Sequence, residues 1–444
     1  MDETIARGLD GEAIPFKARV SLSRPVQSEP FRWVILILLT LGVMISFVDR
    51  TSISTALALP AFKQNFGLTD VDRGWVSSAF FWSYAVLQVP LGWVVDRYGV
   101  KWPYALCFAC WSAATAGLGF ANGYAGLVAM RLLVGAAEAV VVPASWRWIR
   151  DNFAEHESGT AVGVFMFGTK IGPAIGALIA AWLIAYGGWR FMFAALGLAG
   201  ALWLVPWTTL VDAKKHPRRS SKDSHTGASL TAGQLLASPL IWATMLVNFC
   251  YNYFAFYCMT WMPAYLVEQR GLSLASMGLY SFFSFAGIAV VALAGGWTAD
   301  RLIRGGRDPV TVRKSFTIAG FACASTIALS AHATTLDSAL FWNVASLSGL
   351  GLATANYNAL CRVTLIPASS AGTITGIQQV ATAVAGIIAP IATGWLLHWR
   401  GSYDAPIDAI FLLLVLGALT TAFLLRRDWS AELKEQSSRC LQSG

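Results

Sequence analysis

The sequence predicts an all-α membrane protein of twelve spanning helices, arranged as two six-helix pseudo-repeats. Three observations predict it. Of 444 residues, 56% are apolar and only 13% are charged, whereas a soluble domain of this size carries about a quarter charged residues. Apolar stretches of about 20 residues, the length a helix needs to cross a ~30 Å hydrocarbon core, recur twelve times. Finally, short motifs in the first half of the chain return in the second.

The apolar stretches fall at 32–54, 74–95, 102–121, 124–147, 158–185, 189–211, 240–267, 275–299, 314–332, 337–360, 370–398 and 405–426; they are called spans 1 to 12. Strands of a membrane barrel would be about half as long and would alternate in polarity. The chain thus divides into an N-terminal tail (1–31), a six-helix bundle (32–211), a polar linker (212–238), a second bundle (239–426) and a C-terminal tail (427–444). The polar first tail and the lack of a small-residue cleavage site after Trp33 argue for a retained first span rather than a signal peptide.

Net charge is +8, but the basic residues sit in short segments between apolar runs, a topology signal rather than a nucleic-acid footprint. One set of loops holds Arg97 and Lys101, then Arg147 and Arg150, then Lys214, Lys215, Arg218, Arg219 and Lys222, then Arg301, Arg304, Arg307, Arg313 and Lys314. The other set holds few, such as Lys63, Arg73 and Arg270. The positive-inside rule places both termini and the linker in the cytoplasm of a cell with the chain in its inner membrane. The seven cysteines are scattered without ligand spacing, and they read as small buried residues. No metal cluster, phosphate loop or nucleophile–base set stands out, so neither a cofactor nor an enzyme is expected.

The internal echoes are specific. Gly92-Trp93-Val94-Val95-Asp96-Arg97 closes span 2, and Gly296-Trp297-Thr298-Ala299-Asp300-Arg301 closes span 8. Gly159-Thr160-Ala161-Val162-Gly163 in span 5 pairs with Gly372-Thr373-Ile374-Thr375-Gly376 in span 11. Two echoes in nearly one register imply duplication, and paired bundles with a site between them recur among transporters.

The stretch 92–101, GWVVDRYGVK, resembles the loop signature of the major facilitator superfamily, and the resemblance covers essentially the whole chain. Phe47-Val48-Asp49-Arg50 in span 1, with Met130-Arg131, Glu138-Ala139 and Pro143-Ala144 in span 4, is similar to the anion:cation symporter family, which carries sugar acids, hexuronates, phthalate and related carboxylates. Ser83-Tyr84 with Gln88, Thr260-Trp261-Met262-Pro263 and Gly376-Ile377-Gln378 add to the match; Ala383, where asparagine is usual, Phe167 and Lys170 depart from it. The resemblance implies that the arginine of span 1 binds a substrate carboxylate, that the acid of span 4 carries the proton, and that the protein works as a monomer. It also implies that Asp96, Arg97, Asp300 and Arg301 form a cytoplasmic gate.

Counted inward from the span ends, five ionisable residues are buried in the first bundle: Asp49, Arg50, Arg131, Glu138 and Lys170. Each costs at least ~2.5–3.5 kcal/mol at the bilayer centre on insertion scales, so a compensating role is expected. Buried ion pairs add little stability, which points to function. Arg50 offers a planar fork of donors for a carboxylate. Asp49 points about 100° round the helix from Arg50, toward a pairing with Arg131, as proton site or gate. Glu138, seven residues from Arg131 on the same face, is the preferred proton carrier. Three roles stay open for Lys170: neutralising Glu138, meeting a second anionic group on the cargo, or snorkelling between helices. In the second bundle, Asn248, Tyr251, Asn252, Asn356, Gln378 and Gln379 offer amides and phenols suited to hydroxyl recognition, as do Tyr84 and Gln88 in span 2; interhelical bonding is the competing role for each. Gly168-x-x-x-Gly172-Pro173-x-x-Gly176 resembles an exporter signature, and close helix packing explains it equally well.

The leading expectation is import of a small organic anion with protons. An exchanger or exporter is the alternative. A solute sensor is the third reading, disfavoured by two tails too short for a signalling domain.

Overall fold

The computed structural model describes residues 29–212, 230–367 and 370–443. The N-terminal tail to residue 28 and most of the linker, with Lys214, Lys215, Arg218, Arg219 and Lys222, lie outside the described residues. Among the described residues there is no strand. Eight helical stretches are long and apolar enough to cross a membrane, and one of them, Glu157–Leu210, holds two spans. The helices Lys101–Leu118, Pro239–Thr260 and Leu336–Ala359 bring the spans to twelve, so the chain is a multi-pass membrane protein.

Spans 5 and 6 show how one stretch becomes two. Helical bonding runs almost unbroken over Glu155–Leu210, but Gly188 takes φ +78°, a value that only glycine adopts freely. Span 5 begins beside span 1, where Arg32 meets Glu157 at 2.7 Å. Span 6 ends where the Trp207 indole donates to the Lys101 carbonyl at 3.0 Å, at that same end of the molecule. The chain therefore turns back at Gly188. Both termini of the described chain lie at this end too: the helix Arg427–Ser443 docks through Ser430, which donates to the Leu365 carbonyl at 2.6 Å. It is called the tail end here, and the opposite side the far end.

Span 2 begins at Asp70 rather than 74, because Thr69 and Asp72 form a capping box: the Thr69 amide donates to Asp72 at 2.9 Å and the Asp72 amide to Thr69 at 3.2 Å. The extra turn puts Asp70 and Arg73 on the helix. Span 4 breaks between Gly123–Glu138 and Val141–Asn152, where Pro143 has no N–H for the carbonyl of Ala139. The break falls directly after Glu138. Spans 10 and 12 run on as π turns over Leu360–Thr364 and Thr420–Leu424.

The two bundles touch along two seams, both in the far half of the molecule. In one, a Cβ on Gly74 of span 2 would stand 2.7 Å from the Pro390 carbonyl of span 11, and Ser78 donates to the Ile387 carbonyl at 3.0 Å. In the other, Gly278 of span 8 lies against Ala177 and Ala181 of span 5. Small residues allow this backbone approach. Gly168, Gly172 and Gly176 serve the same purpose inside the first bundle, facing Thr40, Met44 and Val48 of span 1. The exporter-like glycine run is thus occupied by packing.

Charge closes the far end. Arg73, 1% exposed, meets Asp70 at 2.8 Å and Glu268 at 3.1 Å, and Lys63 meets Glu268 at 2.6 Å. The Tyr403 hydroxyl donates to Glu268 at 2.5 Å, and the Arg73 guanidinium lies 4.6 Å from the Trp261 ring centre. Glu268 lies past the end of span 7 and ties it to the first bundle. At the tail end the ion pairs stay within a bundle: Asp96 with Arg147 and Asp300 with Arg313, each at 3.1 Å. The expected partners differ, since Arg97 and Arg301 instead lie against the rings of Trp93 and Trp297. Neither of these tail-end pairs joins the two bundles.

Glu268 gives the closure a pH signature. Burial raises its carboxyl, but Arg73, Lys63 and Tyr403 outweigh this and hold it below the ordinary carboxylate range. A depressed acid contributes its full share above its unfolded value, so the closure is intact at neutral pH and lost only as pH falls below that range. Glu268→Gln leaves Arg73 with Asp70 alone and is expected to weaken the closed far end by about 1–3 kcal/mol. Pulsed electron-spin distances between labels at exposed Gln64 and Ala275 should then show a longer population at neutral pH; an unchanged distribution would refute the assignment.

Candidate functional site

Between the bundles lies a cavity of about 730 Å³. Trp146 and Met166, both exposed, line it on the tail-end portions of spans 4 and 5, so its mouth faces that end. The first bundle lends Arg50, Tyr84, Gln88 and Lys170; the second lends Tyr251, Asn252, Arg362 and Gln379.

Arg50 is fixed from two sides. Its Nε donates to Glu138 Oε2 at 2.7 Å, and its guanidinium is boxed by the rings of Phe47, Phe80 and Tyr84 at 4.5, 4.6 and 5.0 Å. The side chain is 10% exposed, toward the cavity, whereas Glu138 is fully buried behind it. Gly135 makes the contact possible: a Cβ there would stand 2.1 Å from the Phe80 carbonyl, so spans 2 and 4 meet one turn from Glu138. A planar cation with its outer edge free and a carboxylate at its back can bind an anion at the front and exchange a proton behind.

Asp49 and Arg131 are buried beside this pair but do not form the expected ion pair. Arg131 Nε reaches the Val76 carbonyl at 3.4 Å, and its guanidinium lies 5.1 Å from the Phe80 ring centre. Asp49 faces Thr115 of span 3. The Asp49 Oδ1, Arg131 Nη1 and Glu138 Oε1 atoms are buried without a hydrogen-bond partner.

Lys170 does not neutralise Glu138, whose carboxylate is bonded by Arg50. It lines the cavity, and its electrostatic neighbour is the Tyr357 phenol of span 10. In the second bundle, Tyr251 and Asn252 reach the cavity along with Gln379, whereas Asn248, Asn356 and Gln378 are fully buried and tie helices together. Asn248 donates to the Gln378 carbonyl at 2.6 Å and to Thr382 at 3.0 Å; Asn356 donates to the Leu352 carbonyl of its own helix at 2.9 Å and to the Gly295 carbonyl of span 8 at 3.5 Å; Gln378 donates to the Cys361 carbonyl at 3.1 Å. Arg362 was not legible as a cavity residue. The apolar run of span 10 ends at 360, but the π turn carries the helix onward and sets Arg362 Nε against Gln378 Oε1 at 2.7 Å. Among the described residues no group of three or more His, Cys, Asp or Glu is placed to hold a metal ion.

Breaking a buried pair from one side costs roughly 3–5 kcal/mol because the survivor is left uncompensated. Glu138 is the more deeply buried partner, so Arg50→Gln is expected to lower the midpoint of thermal unfolding more than Glu138→Gln does. Arg50→Gln/Glu138→Gln should recover part of the loss. Midpoints at one scan rate in lipid nanodiscs test this; additive losses would refute the coupling.

Three comparisons bear on kinship. The chain is 28% identical over 415 residues to the D-galactonate transporter of Escherichia coli O6:H1, covering 89% of this chain and 95% of that protein. It is 29% identical to the "Probable galactarate/D-glucarate transporter" of Bacillus subtilis, covering 84% and 87%, and 28% identical to the "Probable sulfoacetate transporter" of Cupriavidus necator, covering 88% and 94%. Among solved structures, a bacterial homolog of the human lysosomal transporter Spinster superposes with a TM-score of 0.68 at 19% identity, covering 94% of this chain and 99% of that one, which supports the fold alone. Residues 39–390 match the family model described as Major Facilitator Superfamily, and the chain belongs to that family.

Proposed function

We propose that the protein imports a small organic anion, a sugar acid or another carboxylate, together with protons, by alternating access between bundles 32–211 and 239–426. The observation that carries this reading is the Arg50–Glu138 pair at the cavity wall, cation forward and acid behind. Relatives named for galactonate, for galactarate or glucarate and for sulfoacetate support the substrate class.

In the proposed cycle the substrate carboxylate takes the free edge of Arg50 while Tyr84, Gln88, Tyr251, Asn252 and Gln379 meet its hydroxyls. Drawing Arg50 forward weakens its hold on Glu138, and a buried carboxyl that loses its cation favours the protonated form. Substrate and proton then load together. Asp49, close enough to Glu138 and Arg131 for direct electrostatic coupling, is the second proton site, and Arg131 holds the two acids in one field. The tail end carries Arg97, Lys101, Arg147, Arg150, Arg301, Arg304, Arg313 and Lys314, so it is the cytoplasmic side; this state then faces inward with its outer gate, Arg73–Glu268, shut. Asp96 and Asp300 hold their bundles' cytoplasmic ends through Arg147 and Arg313.

Reconstituted vesicles test the reading. An inward proton gradient is expected to drive accumulation of a sugar acid, at least tenfold above that without the gradient. Glu138→Gln should abolish the driven uptake while exchange of labelled for unlabelled acid survives. Uptake indifferent to the gradient, or a Glu138→Gln protein as proton-dependent as the parent, would overturn it.

A further inference from the structure

Among the described residues three cationic side chains line the cavity, Arg50, Lys170 and Arg362, and no acidic side chain does. Arg50 already has its counter-charge in Glu138. The other two do not. Among the described residues Lys170 forms neither an ion pair nor a hydrogen bond; its electrostatic neighbour is the Tyr357 phenol. Arg362 donates to the Gln378 side-chain amide, a neutral partner. The two cations come from opposite bundles and line the same cavity, Lys170 from span 5 and Arg362 from the π turn that continues span 10.

Like charges brought together away from bulk water repel, and each intramembrane cation costs at least ~2.5–3.5 kcal/mol on insertion scales. Arg50's cost is answered by the carboxylate of Glu138, and Arg131's by the Val76 carbonyl and the Phe80 ring. Among the described residues no acid pairs with Lys170 or Arg362, while the cavity gives a solute access to both cations. We propose that the cargo is a dianion: one carboxylate sits on Arg50, and a second acidic group, carboxylate or sulfonate, sits between Lys170 and Arg362. The proposal rests on the transport reading above and narrows its substrate class. It also gives the second anion a mechanical part. By screening two cations carried on opposite bundles, the dianion removes a repulsion that opposes closing the tail end.

The test compares two six-carbon acids that differ in one terminal group, galactonate with one carboxylate and galactarate with two. In proteoliposomes of the full chain, galactarate should show a KM at least tenfold lower, which corresponds to about 1.4 kcal/mol. Lys170→Gln and Arg362→Gln should each cut that preference about tenfold, and Lys170→Arg should keep it. Galactonate transported as well as or better than galactarate by the parent protein would overturn the proposal without need of a variant. Variants that weaken both acids equally would also overturn it. If neither acid nor sulfoacetate accumulates, the transport reading itself fails. Accumulation of galactonate alone leaves that reading standing and removes only the dianion.

Discussion

A charge taken out of water must be met by another charge, by hydrogen-bond donors or acceptors, or by a ligand, and the layout of this protein follows from how each intramembrane charge is met. Glu138, fully buried, is met by Arg50 at 2.7 Å. Arg131 is met by a backbone carbonyl and an aromatic face. Asp49 is met by the field of its neighbours Arg131 and Arg50. None of these arrangements is complete, since Asp49, Arg131 and Glu138 each keep one buried polar atom without a partner. A network built for rigidity would be saturated, because an unsatisfied buried group costs about 1–3 kcal/mol. An unsaturated one has room for a proton or a small shift of partner.

Packing decides where that network can act. Spans 2 and 11, and spans 5 and 8, meet through glycine and alanine at the far half of the molecule, with Pro390, Ile387, Ala177 and Ala181 as the opposing surface. The Arg73–Glu268–Lys63 cluster seals that side. Opposite, the ion pairs of Asp96 and Asp300 stay within their own bundles. On the proposed alternating-access reading, the strength of the far-end seal sets how readily the cavity changes sides, and it is set by residues remote from the cavity.

Much of this was legible before the structure, for physical reasons. Hydrocarbon demands long apolar helices, so spans announce themselves, and Arg50 and Glu138 stand out because charges in such runs are rare. What the sequence hid were properties of pairing and helix continuation. Arg73 and Glu268 are 195 residues apart and belong to different bundles, so neither advertises the other. Arg362 follows the end of an apolar run and reads as a loop cation until the π turn is seen. Gln378 and Gln379 are neighbours in sequence, and only the ~100° step of the helix separates the one that bonds to span 10 from the one that faces the cavity. Asp49 looked like a partner for Arg131, whose Nε reaches the Val76 carbonyl instead.

The acids and the unmatched cations are distributed unequally, and that inequality has a consequence for coupling. Asp49 and Glu138 both belong to the first bundle and would move with it as a body, so a proton on either travels without crossing between bundles. The cations that await an anion belong to both bundles, Lys170 on one and Arg362 on the other. On the proposed reading, proton state and substrate occupancy then act on different coordinates. Protonation changes the charge inside one bundle, while the anion changes the repulsion between two. A ligand shifts a conformational equilibrium only through its differential free energy in the two states. An anion that lowers the inter-bundle repulsion has such a difference for closure, and a proton on Glu138 has one because it alters how tightly Arg50 is held back from the anion. Each ligand alone relieves part of the charge imbalance; closure is most favourable when both are bound. Strict coupling then needs no contact between proton and substrate, only that both be referred to Arg50.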